Sequence, residues 1–188
     1  GAIYVHGTNT NSNRHSNIIN CNFINCEATE WGGAIGSSQD YLNVENCNFI
    51  NNKADYGGAL YDADAKNSNF KNNSAKIKGG ALYNGAICDC KFINNTAGYA
   101  GGALSNQMSA SHFINSTFVG NKAKFGGSII MKDGVTKNNE IIGCTFIDSV
   151  AVNDPTVEIQ VRGKGGAIFA REHYLFDRIS DRVYRKYV

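Results

Sequence analysis

The sequence predicts an all-β chain wound as a single-stranded parallel β-helix, a solenoid of about seven coils. Three observations carry that expectation. Phenylalanine recurs at 23, 49, 70, 92, 118 and 146, and a Gly-Gly pair starts at 32, 57, 79, 101, 126 and 165. An alanine stands five residues after each of those phenylalanines, at 28, 54, 75, 97, 123 and 151. The Gly-Gly pairs repeat at spacings as short as 22 residues, as between Gly57 and Gly79, too short for paired helices but enough for three short strands and their turns. Gly1-Ala2-Ile3 reads as a seventh corner, so the chain is expected to open inside a repeat of a longer protein.

Composition agrees with that fold. Of 188 residues, 21 are Gly, one is Pro and 42% are hydrophobic; so much apolar surface opposes disorder, and frequent Asn and Gly oppose helix. The net charge is +2, and the excess lies in residues 171–188, where five basic residues face three acidic ones. No bulk electrostatic case for nucleic acid exists, and no apolar run is long enough to span a membrane.

Each repeat position has a physical task. Five residues before Phe the side chain is apolar (Ile18, Val44, Ala65, Ile87, Phe113, Ile141), which marks an inward strand position. Two before Phe it is small (Cys21, Cys47, Ser68, Cys90, Ser116, Cys144), as a narrow interior beside a large ring requires. After Phe comes Asn-Asn or a variant of it, and stacking is expected to align Asn52, Asn73, Asn95 and Asn121 into an amide ladder. Gly-Gly then supplies a corner needing positive φ or close backbone approach. The pattern departs at Cys26 and Ser149, in place of the ladder Asn, and at Ser128, in place of the Ala after Gly-Gly.

Coil length varies at one place. Phe to Gly-Gly takes 9, 8, 9, 9 and 8 residues, whereas Gly-Gly to the next Phe takes 17, 13, 13, 17 and 20. Insertions therefore gather on one side of the rod, the side expected to meet a partner. Their polar residues give the binding candidates Asn9, Asn11, Asn13, Arg14, His15, Gln39, Asp40, Tyr41, Asn106, Gln107, Lys132, Asp133 and Lys137; tolerated surface loops are the plainer reading. Thr156–Val161 alternates like an added edge strand. The repeat domain is placed at 1–170. Residues 171–188 read as a C-terminal cap with the spacing of a short amphipathic helix (Leu175, Ile179, Val183).

Little else in the sequence points to chemistry. Four of six cysteines share one interior position; Cys21 and Cys47, in adjacent coils, are a possible bridge, and free buried thiols are the favoured reading. The four histidines are scattered, so no metal or other cofactor is expected. A β-helix hydrolase or lyase needs carboxylates converging from neighbouring coils. The nearest candidate, Asp62-Ala63-Asp64, continues into Asn84 and Asn106 at the position of Asp62. No catalytic residue is assigned.

Four Phe-x-x-Asn segments (49–52, 70–73, 92–95, 118–121) and five Gly-Gly-Ala-[Ile/Leu] segments together resemble the chlamydial polymorphic outer-membrane protein repeat. They are similar, too, to the right-handed β-helix regions of adhesin-like surface proteins in bacteria and methanogenic archaea, which implies a right-handed coil. The resemblance implies a non-catalytic, extracellular, envelope-anchored adhesin that meets a surface glycan or protein of another cell, without nucleic acid. The alternatives are a carbohydrate-active β-helix enzyme and a purely structural stalk.

Overall fold

A computed structural model describes residues 1–6, 16–38, 42–108, 111–131, 139–152 and 165–170. Its strands form four parallel sheets, so each coil has four arms. The first arm follows the Gly-Gly corner, from Ile3–Val5 through Leu60–Tyr61 and Leu82–Tyr83 to Ile168–Ala170, and its sheet holds seven strands. The second arm carries the apolar position before Phe, from Ser16–Ile19 through Asp64–Lys66 to Glu140–Ile142. The third is the Phe arm, from Asn22–Ile24 to Thr145–Ile147, and the fourth is the Ala arm, from Lys53–Tyr56 to Val150–Ala151. These sheets have six, six and five strands.

Two expectations are corrected. The described residues build five complete four-arm coils with partial coils at both ends, not seven, because Gly-Gly corners bound coils and so outnumber them. Each coil has four strands rather than three because the small residue before Phe sits at a corner, not inside a strand. The residue preceding it takes a left-handed backbone: Asn20, Asn46, Asn67, Asp89, Asn115 and Gly143 all have φ between 47° and 64°. A second such corner follows Phe at Asn25, Asn51, Asn72, Asn94, Gly120 and Asp148. Asn and Asp populate this region because their short polar side chains offset the steric penalty locally.

In-register stacking turns the repeat into columns. Phe23, Phe49, Phe70, Phe92, Phe118 and Phe146 stack with centroids 4.6–5.0 Å apart and planes within 7° of parallel. Ile18, Val44, Ala65, Ile87, Phe113 and Ile141 pair in register along the second arm. Leu60, Leu82, Leu104 and Ile129 do so along the first. The resulting core runs continuously along the rod, so each coil is stabilised chiefly by its two neighbours.

All six cysteines are free thiols. Burial pushes Cys90 up to about 12 and Cys144 up to about 11, because a thiolate loses its hydration inside the rod. These two thiols are expected to resist alkylation at pH 8 in native protein and to react fully in denaturant, a difference measurable by mass spectrometry. The sign for stability follows. Unfolded thiols near 9 release protons that the folded ones still hold, so stability is intact below pH 9 and falls as pH rises through the window up to 12.

Candidate binding face

The long connections all join a first-arm strand to a second-arm strand: Val5 to Ser16, Ser37 to Leu42, Asn106 to His112 and Met131 to Glu140. Between them lie two coils whose connections are short, Tyr61 to Asp64 and Tyr83 to Ile87. The outer face of the second arm, next to this corner, is a shallow groove of about 350 Å³. Asn17, Asn43, Asp64, Ala86 and His112 line it in one row. Glu45, Lys66, Cys88 and Ile114 line it in the row beside that.

The floor is set by the short coils. Ala86 presents only a methyl group, and its backbone N–H donates to Asp64 Oδ1 at 2.7 Å. Asn43 Nδ2 donates to Asn17 Oδ1 at 3.2 Å. Lys66 and Glu45 form an exposed ion pair at 3.7 Å, and His112 Nε2 lies 3.7 Å from a Glu140 carboxylate oxygen. Exposed pairs of this kind add little stability, so their groups remain accessible to a polar ligand. The groove thus offers carboxylates, amides, an ammonium and an imidazole on a rigid parallel sheet.

The structure places the predicted residues unevenly. Asn9, Asn11, Asn13, Arg14, His15, Gln39, Asp40, Tyr41, Lys132, Asp133 and Lys137 lie outside the described residues, as do Thr156–Val161 and residues 171–188. Asn106 is corrected: it is 1% exposed and points inward, two residues after buried Leu104 on the same strand face. Its Nδ2 donates to the Met108 carbonyl at 2.8 Å and to Ser111 Oγ at 3.0 Å, so it closes the corner instead of facing a partner. Gln107 is half-buried, and its backbone N–H donates to Asn84 Oδ1 at 2.8 Å. The groove residues themselves were missed; strict alternation outward from Val44 and Ile87 would have found Asn43, Glu45, Ala86 and Cys88.

The amide column is interior and regular. Asn52 Nδ2 donates to Asn73 Oδ1, Asn73 Nδ2 to Asn95 Oδ1 and Asn95 Nδ2 to Asn121 Oδ1, at 3.0, 3.0 and 3.1 Å. All four asparagines are fully buried. They hold coils together and offer nothing to a ligand. Asp62 Oδ1 accepts from Asn84 Nδ2 at 2.7 Å. Along the rod its position continues as Asn84 and Asn106, and that of Asp64 as Ala86 and His112, so no carboxylate stacks on either.

Stacked phenylalanines, a buried amide column and Gly-Gly corners define the class: a parallel β-solenoid built from a short sequence repeat. Three stretches, residues 46–63, 67–85 and 89–107, are matched by the Chlamydia polymorphic membrane protein repeat. That family is associated with the outer membrane or cell surface. No curated protein and no solved structure matches the chain. Among the described residues, no helix is long and apolar enough to cross a membrane.

Proposed function

We propose that this chain is a non-catalytic segment of a cell-surface adhesin. In this reading the second-arm groove and the insertion-rich corner beside it contact a glycan or protein on another cell. The observation that carries it is positional: four long connections share one corner of the rod, next to the groove. In solenoids, insertions collect on one face, and that face is often the one that binds. The surface-associated repeat family supports the location. The two carboxylates nearest to a hydrolytic arrangement are engaged by Asn84 and by the Ala86 backbone, which supports a binding role over a catalytic one.

The test is binding of the full chain to a glycan array and to cultured cells, with an Asp64→Ala/His112→Ala variant alongside. The variant is expected to bind about fivefold to tenfold more weakly, while losing only about 1 kcal/mol of stability, since both side chains are exposed and the main contact removed is that of Asp64 with the Ala86 N–H. Equal binding by variant and parent would remove the groove from the contact, and absence of binding to any surface would favour a stalk. Release of oligosaccharide from uronate-rich polymers by the parent chain would overturn the non-catalytic reading.

A further inference from the structure

The fourth arm carries a feature that the groove does not explain. From Ala to the next corner, Ala28–Trp31, Ala75–Lys78 and Ala97–Ala100 each span one residue more than Ala54–Tyr56 and Ala123–Phe125. Two of these three wider coils are adjacent, and the register shifts between Ala75 and Lys78. Bulges of this kind re-aim side chains and concentrate beside functional sites.

The widened pair has a particular chemistry. Its second coil presents Thr96, Gly98 and Tyr99, all exposed and uncharged. On one side lie Lys76 and Lys78, and on the other Lys122 and Lys124. Gly98 packs so closely on the neighbouring coil that a Cβ would run into the Lys76 carbonyl oxygen. Tyr99 is 44% exposed, leans edge-on against Phe125 and has Lys78 Nζ 5.9 Å from its ring centre. The acids of the flanking coils are Asp55, beside Lys76, and Asp148, at the corner after Phe146. Glu27, Glu30 and Lys53 lie farther toward the N-terminal end.

The result is a strip across the rod, with small residues between two lysine-bearing coils and an aromatic ring at one end. The lysine rows are two coils apart, about 10 Å at the spacing of paired strands. A linear polysaccharide bearing sulfate or carboxylate groups fits these dimensions: its anions reach both rows while a sugar ring meets Tyr99. We infer that this lysine-flanked strip of the fourth arm binds an anionic polysaccharide, with Lys76 and Lys122 as the principal charge contacts and Tyr99 as the stacking residue. Duplex DNA suits it less, because one narrow strip on a chain of net charge +2 offers no extended positive track.

The site lies on a different arm from the proposed adhesive groove and does not depend on it. The test measures binding of the full chain to a heparin-derived oligosaccharide, and its elution from immobilised heparin against a plain sulfonate exchanger. The parent should need more salt to leave heparin than to leave the exchanger. Lys76→Gln/Lys122→Gln should weaken oligosaccharide binding about tenfold. Tyr99→Ala should weaken it about threefold to fivefold without changing the salt dependence. The groove variant Asp64→Ala/His112→Ala should bind heparin as the parent does, which separates failure of this site from failure of the groove. Elution at equal salt from both matrices would overturn the inference. So would equal competition by duplex DNA, or unchanged binding by the lysine variant.

Discussion

Gly80→Ala is expected to abolish the native stacking of the central coils. Far-ultraviolet circular dichroism and a melting midpoint should show the loss directly, with stability lowered by more than about 3 kcal/mol. The reason is space, not backbone angle. A Cβ on Gly80 would run into the Gly102 carbonyl oxygen of the next coil and sit 2.5 Å from the Thr96 carbonyl oxygen. Both are backbone atoms and cannot swing aside. The same obstruction recurs at Gly33, Gly58, Gly102 and Gly127, so the second glycine of these pairs is fixed by the approach of the following coil. The first glycine has positive φ, as at Gly79 with φ 66°, and is fixed by conformation as well. Gly120→Asn is the informative contrast. Its φ is 62°, its register neighbour toward the N-terminus is Asn94 at the same backbone angle, and the nearest atom to a new Cβ is the Asn94 amide oxygen, which can rotate away. That variant should keep the fold and cost about 1 kcal/mol or less. Equal tolerance of both substitutions would show that coil-to-coil contact does not fix the second glycine.

What could be read from the sequence follows from how narrowly each position restricts its residue. Phe and Ala stand at positions where one volume fits, so both columns were visible as strict recurrences and both stack in register. Asn51-Asn52 could be assigned in two parts, because a left-handed corner and an inward amide both favour asparagine; Asn51 has φ 58° and Asn52 is fully buried. The fourth arm was hidden by the same residue preference. Asn46-Cys47 bends the chain, yet in a sequence rich in Asn it reads as two more strand residues. Asn106 was misplaced because polarity was given more weight than alternation from Leu104. The lysine strip was beyond sequence reading, since its two lysine rows belong to separate coils with a third coil between them. A repeat shows what every coil shares, and a site made by differences between coils appears only once they are stacked.

Asn73→Ala is expected to destabilise the chain by about 3–4 kcal/mol, read from chemical denaturation, because it opens the amide column at its centre. Asn73 Oδ1 accepts from both the backbone N–H and the Nδ2 of Asn52, at 2.9 and 3.0 Å. Its Nδ2 donates to the Phe49 carbonyl and to Asn95 Oδ1, both at 3.0 Å. Truncation therefore strips partners from groups in two neighbouring coils, where no water replaces them, and Asp would be no better because a carboxylate cannot donate. The C-terminal end of the column shows how the chain itself answers the same problem. Ser149 stands at the ladder position and is too short to repeat the amide contact, and Ser128 stands where other corners have Ala. Asn121 Nδ2 donates to Ser128 Oγ at 3.3 Å, and Ser128 Oγ lies 2.7 Å from Ser149 Oγ. The two departures are therefore one device, a hydroxyl relay in place of one amide. Ser128→Ala alone should cost about 1–2 kcal/mol by removing the acceptor from a buried donor. Ser128→Ala combined with Ser149→Asn restores the arrangement of the inner coils and should recover most of that loss. A double-mutant cycle with no coupling between 128 and 149 would mean that the two serines act separately. A cost at Asn73 no larger than at an exposed corner such as Asn72 would mean that the column does not bind one coil to the next.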